Sequence, residues 1–226
     1  MIIITGASRG IGKYLLEKYL SQGQEVIGLY CHTEPAAHTE NYHRVDISRE
    51  DDVARFYADV LSSLNNIVLI NAAGTSYNAF AHKAEMDKWR SVIDTNLIGL
   101  FNMIRLVLPV MRSNNYGRII NFSSVVAQQG VIGTTAYAAS KAALWGMAKA
   151  IAAENGNKNI TINNINPGYF NIGMINEVPQ ELLNTIVERI PSRRLGDPED
   201  LFNTVNYIIA TAYLNGASID LNGGLH

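Results

Sequence analysis

Short β-branched runs alternate with amphipathic helical segments from one end of the chain to the other, and this alternation restricts the fold more than any other feature. Ile2–Thr5, Glu25–Tyr30, His43–Val45, Ile67–Asn71, Arg118–Ser123, Ile160–Ile165 and Ala217–Leu221 read as strands. Between them Gly10–Gln22, Ser48–Ser63, Met86–Arg112, Thr135–Glu154, Pro179–Glu188 and Pro198–Thr211 read as helices, the third interrupted near Gly99 and Pro109. Ile67–Asn71 is apolar along its length, as a strand covered on both faces should be. Without repeat, linker or low-complexity tract, residues 1–226 read as one α/β domain. Its expected form is a doubly wound, mostly parallel seven-stranded sheet of Rossmann type.

Composition narrows the function classes. The 226 residues carry a net charge of −2, with 47% apolar and 17% charged residues. That much apolar surface excludes disorder, and the near-neutral balance argues against a nucleic-acid partner. A lone cysteine, Cys31, excludes a disulfide framework and fits a reducing compartment. Met1 runs directly into Ile2-Ile3-Ile4 with no basic leader. No wholly apolar run approaches the roughly 18 residues needed to span a bilayer. The expectation is a soluble, cytoplasmic protein with no membrane partner and no metal site.

Immediately after the first strand stands Thr5-Gly6-Ala7-Ser8-Arg9-Gly10-Ile11-Gly12, opening a helix. A dinucleotide pyrophosphate needs backbone N–H donors, no Cβ in its way and the positive end of a helix. Three glycines between strand and helix supply these, although a plain tight turn would read alike.

A second constellation lies at the start of the fourth helix. Tyr137 and Lys141 are four residues apart, on one helical face and about 6 Å apart along the axis. A phenol of pKa about 10 is a poor proton donor or acceptor at neutral pH, and an ammonium beside it favours the phenolate. An ordinary tyrosine packed on a lysine stem has the same spacing. Ser124 closes the fifth strand at the carboxyl edge of the sheet, where ligands of open α/β sheets bind. Its hydroxyl is suited to a substrate carbonyl, or to capping the next turn. Asn71-Ala72-Ala73-Gly74 ends the fourth strand with small residues. Asn96, mid-helix, hints at a kink or a held water because asparagine is a poor helix former.

Together these motifs resemble the short-chain dehydrogenase/reductase family, over the whole chain and in order. They are TGASRGIG at 5–12, Asp46, NAAG at 71–74, Asn96, Ser124, YAASK at 137–141, Pro167-Gly168, RLGDPED at 194–200 and Gly223-Gly224. The subgroup most alike is the 3-oxoacyl-acyl-carrier-protein reductases. The resemblance implies a nicotinamide-dependent carbonyl reductase. Tyr137 would protonate the carbonyl oxygen, Lys141 would lower the tyrosine pKa and hold the ribose, Ser124 would orient the carbonyl, and Asn96 would keep a relay water. It also implies that Gly6, Ser8, Arg9, Gly10, Ile11, Gly12, Tyr30, His32, Asp46, Ile47, Asn71, Ala72, Ala73, Gly74, Tyr137, Lys141, Pro167, Gly168, Phe170 and Ile172 line the cofactor. Ile172 stands where many relatives place a threonine.

At the end of the second strand Tyr30 is followed by Cys31, His32 and Thr33, with no carboxylate to repel a 2′-phosphate. With Arg9 in the glycine turn this favours NADP(H) over NAD(H). His32 assists only when protonated. The substrate pocket is expected from residues 75–80, 125–134 and the loop after Gly168, with Val125, Val126, Val131, Ile132, Tyr169, Phe170, Met174 and Ile175 apolar and Gln128, Gln129 and Asn171 polar. Asn115 and Lys158 stand where carrier-protein reductases carry a basic pair, so acyl carrier protein is supported as a partner by half a patch. A small ketone, a sugar intermediate, or loss of catalysis in a nucleotide sensor are the alternatives. Relatives pair their two long helices, which implies a homodimer or homotetramer.

Only 15 residues separate Tyr30 from Asp46, three of them in the third strand. A parallel crossover needs roughly 10–12 residues including its helix. With Pro35 in the way, this crossover helix is expected to be absent or a single turn.

Overall fold

The computed structural model describes residues 1–60, 64–173, 175 and 178–225. Seven strands form one sheet: β1 (Ile2–Thr5), β2 (Val26–Tyr30), β3 (Tyr42–Arg44), β4 (Val68–Asn71), β5 (Gly117–Phe122), β6 (Ile160–Pro167) and β7 (Ser218–Leu221). Their order is β3-β2-β1-β4-β5-β6-β7, and every pairing is parallel. The order reverses between β1 and β4, so Thr5 and Asn71 end side by side at the switch point. This crevice is where such sheets take ligands.

Period-2 alternation assigns successive strand residues to two cores. Ile3, Leu69, Ile119 and Ile162 face α2 (Glu50–Val60), α4 (Leu100–Asn114) and α6 (Thr135–Asn155), meeting Phe56, Met103, Ile104 and Leu144. Ile2, Ile4, Ile70, Ile120 and Ile165 face α1 (Gly10–Ser21) and α8 (Pro198–Ala210), meeting Leu15, Leu16, Leu201 and Val205. Burial on both sides is why these strands read as continuous apolar runs. Beyond Val60, the expected end of the second helix lies outside the described residues.

The third helical segment is continuous from α3 (Met86–Ile93) through a π-turn at Asp94–Gly99 into α4. Gly99 lies in the wider turn, as expected of an interruption, but Pro109 does not break α4. By length and mean hydropathy alone this helix could cross a membrane, although no wholly apolar run of that length lies in it. Here Leu100, Met103, Ile104, Val107 and Met111 pack it onto the sheet.

Between β2 and β3 the crossover contains one 3-10 turn, Thr39–Asn41. The short spacing leaves room for no more. Two elements at the carboxyl edge complete the frame: a one-turn helix α5 (Val126–Gln129), unforeseen from the sequence, and α7 (Gln180–Arg189).

Candidate active site

The glycine turn is shaped by close approach of backbones. Gly6 has φ of 66°, and a Cβ there would lie 2.7 Å from the Cα of Ala73; a Cβ on Gly12 would lie 2.4 Å from the Gly6 carbonyl oxygen. The turn is fastened on both sides. The Ala7 N–H donates to the Leu29 carbonyl at 2.9 Å, the Ala73 N–H to Thr5 Oγ1 at 3.1 Å, and the Tyr42 hydroxyl to the Ala7 carbonyl at 3.0 Å. Arg9 precedes α1 without a side-chain cap. The first N–H groups of α1 therefore meet the crevice unpaired by any cap, with Gly10 and the partly buried Ser8 and Ile11 around them. These residues fit a dinucleotide pyrophosphate.

At the end of β2, Tyr30 stacks edge-on to Tyr42, and exposed His32 follows. Strand pairing adds a residue that sequence reading missed. Arg44 sits opposite Tyr30 on β3, and its Nε donates to the Cys31 carbonyl at 3.2 Å. Among the described residues neither Arg9 nor Arg44 has an ion-pair partner. The residue opposite the strand end would have been the signal, had the register of β3 been known.

Three of the expected cofactor residues have visible structural duties. Asp46 Oδ1 accepts from the backbone N–H and hydroxyl of Ser48, at 3.0 and 2.7 Å, ahead of α2. The Ile47 side chain is buried in the core beside Gly99, and its carbonyl accepts from Asn102 Nδ2. Asn71 likewise points into the protein. It donates to Asn121, Asn121 to Asn164, and Asn164 to Ser218, a buried amide ladder across β4–β7. Ala72, Ala73 and Gly74 then carry the chain out along the crevice.

The catalytic candidates converge at the carboxyl ends of β4 and β5. Tyr137, in the first turn of α6, is partly exposed, with its hydroxyl beside the Ser124 side chain; Ser124 Oγ accepts from the Val126 N–H at 3.1 Å, capping the turn into α5. Burial of the ring pushes its phenol up, and the neighbouring Ser124 side chain opposes that only in part. Lys141 lies one turn on, with Nζ 5.7 Å from the centre of the Tyr137 ring. Its ammonium donates to the Phe122 carbonyl at 2.7 Å. It is only 3% exposed, and burial pulls its pKa down to about 8. Desolvation is the first cause of both shifts, and the ammonium spends one of its N–H donors on Phe122.

Asn96 lies in the π-turn and is fully buried. Its Oδ1 accepts from the Thr75 N–H at 2.8 Å, and its Nδ2 donates to the Thr75 carbonyl at 2.9 Å and to Ser140 Oγ at 3.0 Å. The kink expected from an asparagine in mid-helix is present. Both side-chain amide protons are committed to protein, so the side chain clamps the Thr75 backbone to the π-turn.

Opposite lies the segment after β6. Pro167 accepts from the Val125 N–H, Gly168 donates to Leu221, Phe170 packs on Gly196, and the Ile172 N–H closes on the Phe170 carbonyl at 2.7 Å. Val125 and Ile175 are buried, whereas Val131 and Ile132 are exposed with Phe80. The Ala79 N–H donates to Gly133, joining the two sides of this apolar lip. Met174 lies outside the described residues.

A crevice at the switch point, a glycine turn at an uncapped helix and a Ser–Tyr–Lys cluster beside it are now in place. The family model for short chain dehydrogenases matches residues 1–182. The chain belongs to the short-chain dehydrogenase family. It is 36% identical to the acetoacetyl-CoA reductase of Shinella zoogloeoides, over 98% of this chain and 96% of that one. It is 33% identical to the 3-oxoacyl-(acyl-carrier-protein) reductase of Pseudomonas aeruginosa, over 99% and 96%, and 32% identical to that of Staphylococcus epidermidis, over 99% and 98%. The crevice, the glycine turn and the Ser–Tyr–Lys cluster of this oxidoreductase are thus carried on a chain of nearly the same length as its relatives.

Proposed function

We propose that this short-chain dehydrogenase reduces 3-oxoacyl thioesters to 3-hydroxyacyl thioesters with NADPH, and that a coenzyme A thioester is its substrate. The observation that carries this is the placement of Tyr137 beside Ser124 at the crevice, with the buried Lys141 one helical turn on. A bound reduced nicotinamide supplies the hydride. The protein's share is proton delivery and orientation. Ser124 Oγ and the Tyr137 hydroxyl converge on one point and hold the carbonyl oxygen where negative charge develops. Tyr137 then gives that oxygen its proton, being kept protonated through neutral pH by burial. Lys141, charged below about pH 8, restrains the phenolate left behind.

Arg9, Arg44 and His32 lie around the end of β2 with no carboxylate among Tyr30–Thr33, which supports NADPH over NADH. The coenzyme A form is supported by the incomplete basic pair. Asn115 and Lys158 lie just before β5 and β6, at the amino edge of the sheet. The six residues of β5 separate that edge from the site by about 20 Å. Of the two positions only Lys158 is basic, and a free thioester needs no such docking patch. The exposed Ile98 and Phe101 on the long helix support self-association, as a homodimer or homotetramer in the cytoplasm.

The test is oxidation of NADPH with acetoacetyl-CoA, acetoacetyl-carrier protein, and a panel of simple ketones and sugars. Acetoacetyl-CoA is expected to have the largest kcat/KM. Turnover confined to ketones or sugars would overturn the thioester reading.

A further inference from the structure

The catalytic lysine is held at both ends by consecutive residues. Its ammonium donates to the Phe122 carbonyl, and its own backbone carbonyl accepts from the Ser123 hydroxyl at 2.8 Å. The second bond is surplus to the helix, whose interior carbonyls already accept an intrahelical N–H. A surplus bond of that kind fixes where the helix lies against the sheet.

Ser123 does not act alone. Trp145, one turn beyond Lys141, shares its indole N–H between Ser123 Oγ at 3.1 Å and Asn166 Oδ1 at 3.0 Å. Asn166, 2% exposed at the end of β6, donates to Asp220 Oδ1 at 2.7 Å. The same oxygen accepts from Gln128 Nε2 of α5 at 2.8 Å. A continuous hydrogen-bonded chain thus runs from Gln128 beside the substrate lip, through β7 and β6, to the backbone of Lys141. Ser124, the next residue after Ser123, lies beside the Tyr137 hydroxyl.

We propose that Ser123, Trp145, Asn166 and Asp220 are positioning residues, which seat the Tyr137–Lys141 turn of α6 against β5 and couple its setting to Gln128. The inference rests on the carbonyl-reductase reading of the site, and touches neither substrate nor cofactor directly. A displacement of α6 by a fraction of an ångström moves the Tyr137 hydroxyl away from Ser124, and misplacement by about 1 Å costs on the order of a hundredfold in rate.

The experiment compares Trp145→Phe, Ser123→Ala, the double variant, Asp220→Ala and Asp220→Asn. Trp145→Phe and Ser123→Ala are each expected to lower kcat about tenfold, with KM for acetoacetyl-CoA and the dissociation constant for NADPH within about twofold. The double variant should lose no more than the worse single, because the two groups act as a unit. Asp220 is exposed, so its variants fold irrespective of the core. Asp220→Ala should lower kcat about threefold, and Asp220→Asn, which keeps an acceptor oxygen, should restore it.

Amide exchange of residues 138–146 in the cofactor-free chain supplies a reading independent of turnover. It is expected to quicken in Asp220→Ala and not in Asp220→Asn. An Asp220→Ala variant with wild-type kcat, losses that multiply in the double variant, or unchanged exchange would each overturn the proposal. Wild-type protein inert toward acetoacetyl-CoA would contradict the thioester reading alone, and the exchange comparison would then decide the network.

Discussion

Lys141 is the residue at which stability and function pull apart. An ammonium that is buried with one carbonyl partner is costly to the fold. The drop from 10.5 to about 8 corresponds to about 3 kcal/mol of destabilisation at neutral pH. Lys141→Met is therefore expected to abolish turnover while raising the melting temperature by several degrees. Calorimetry checks this, and a lowered melting temperature would contradict it. The sign with pH follows from the same depression. Between about pH 8 and 10.5 the unfolded chain binds more protons at this lysine than the folded chain does, so its penalty fades as pH rises through that window. Activity runs the other way. Above about pH 8 the free enzyme loses the Lys141 charge, and kcat/KM for reduction is expected to fall; a profile flat to pH 10 would contradict the assigned role.

At the scale of elements, what the sequence made legible was whatever depends on local spacing. Tyr137 and Lys141 share a face because a helix repeats every 3.6 residues, and the missing crossover helix followed from counting residues between Tyr30 and Asp46. Features that depend on register between distant strands were not legible. Arg44 reaches the end of β2 only because it pairs with Tyr30, and Trp145 meets Asn166 only because α6 lies across β6. The chain turns the Ile47 side chain into the core. The bareness of the β2–β3 crossover leaves Arg44 at the end of β2, where the proposed NADPH would place its 2′-phosphate. Arg44→Ala is accordingly expected to weaken NADPH binding about tenfold and NADH binding by less than twofold, a charge-assisted contact being worth about 1.5–3 kcal/mol when unscreened. Fluorescence titration with both nucleotides measures it, and equal losses would remove Arg44 from the phosphate site.

For the whole molecule, the two cores lie on opposite faces of one parallel sheet and leave its carboxyl edge free for the site. The same arrangement leaves Ile98 at 44% and Phe101 at 41% exposure on the long helix, more than a solvated face requires. Light scattering is expected to give a dimer or tetramer for the wild type, and a smaller species for the Ile98→Asp, Phe101→Asp double variant. A monomeric wild type would contradict self-association through this helix.

The central assignment is that Tyr137 gives a proton to the carbonyl oxygen of a 3-oxoacyl thioester as NADPH is consumed. Steady-state reduction of acetoacetyl-CoA by wild type and by Tyr137→Phe tests it most directly. The wild type is expected to form 3-hydroxybutyryl-CoA in step with NADPH loss, and the variant to be slower by about a thousandfold with NADPH binding within about twofold. A phenylalanine variant that keeps most of the wild-type rate would contradict it.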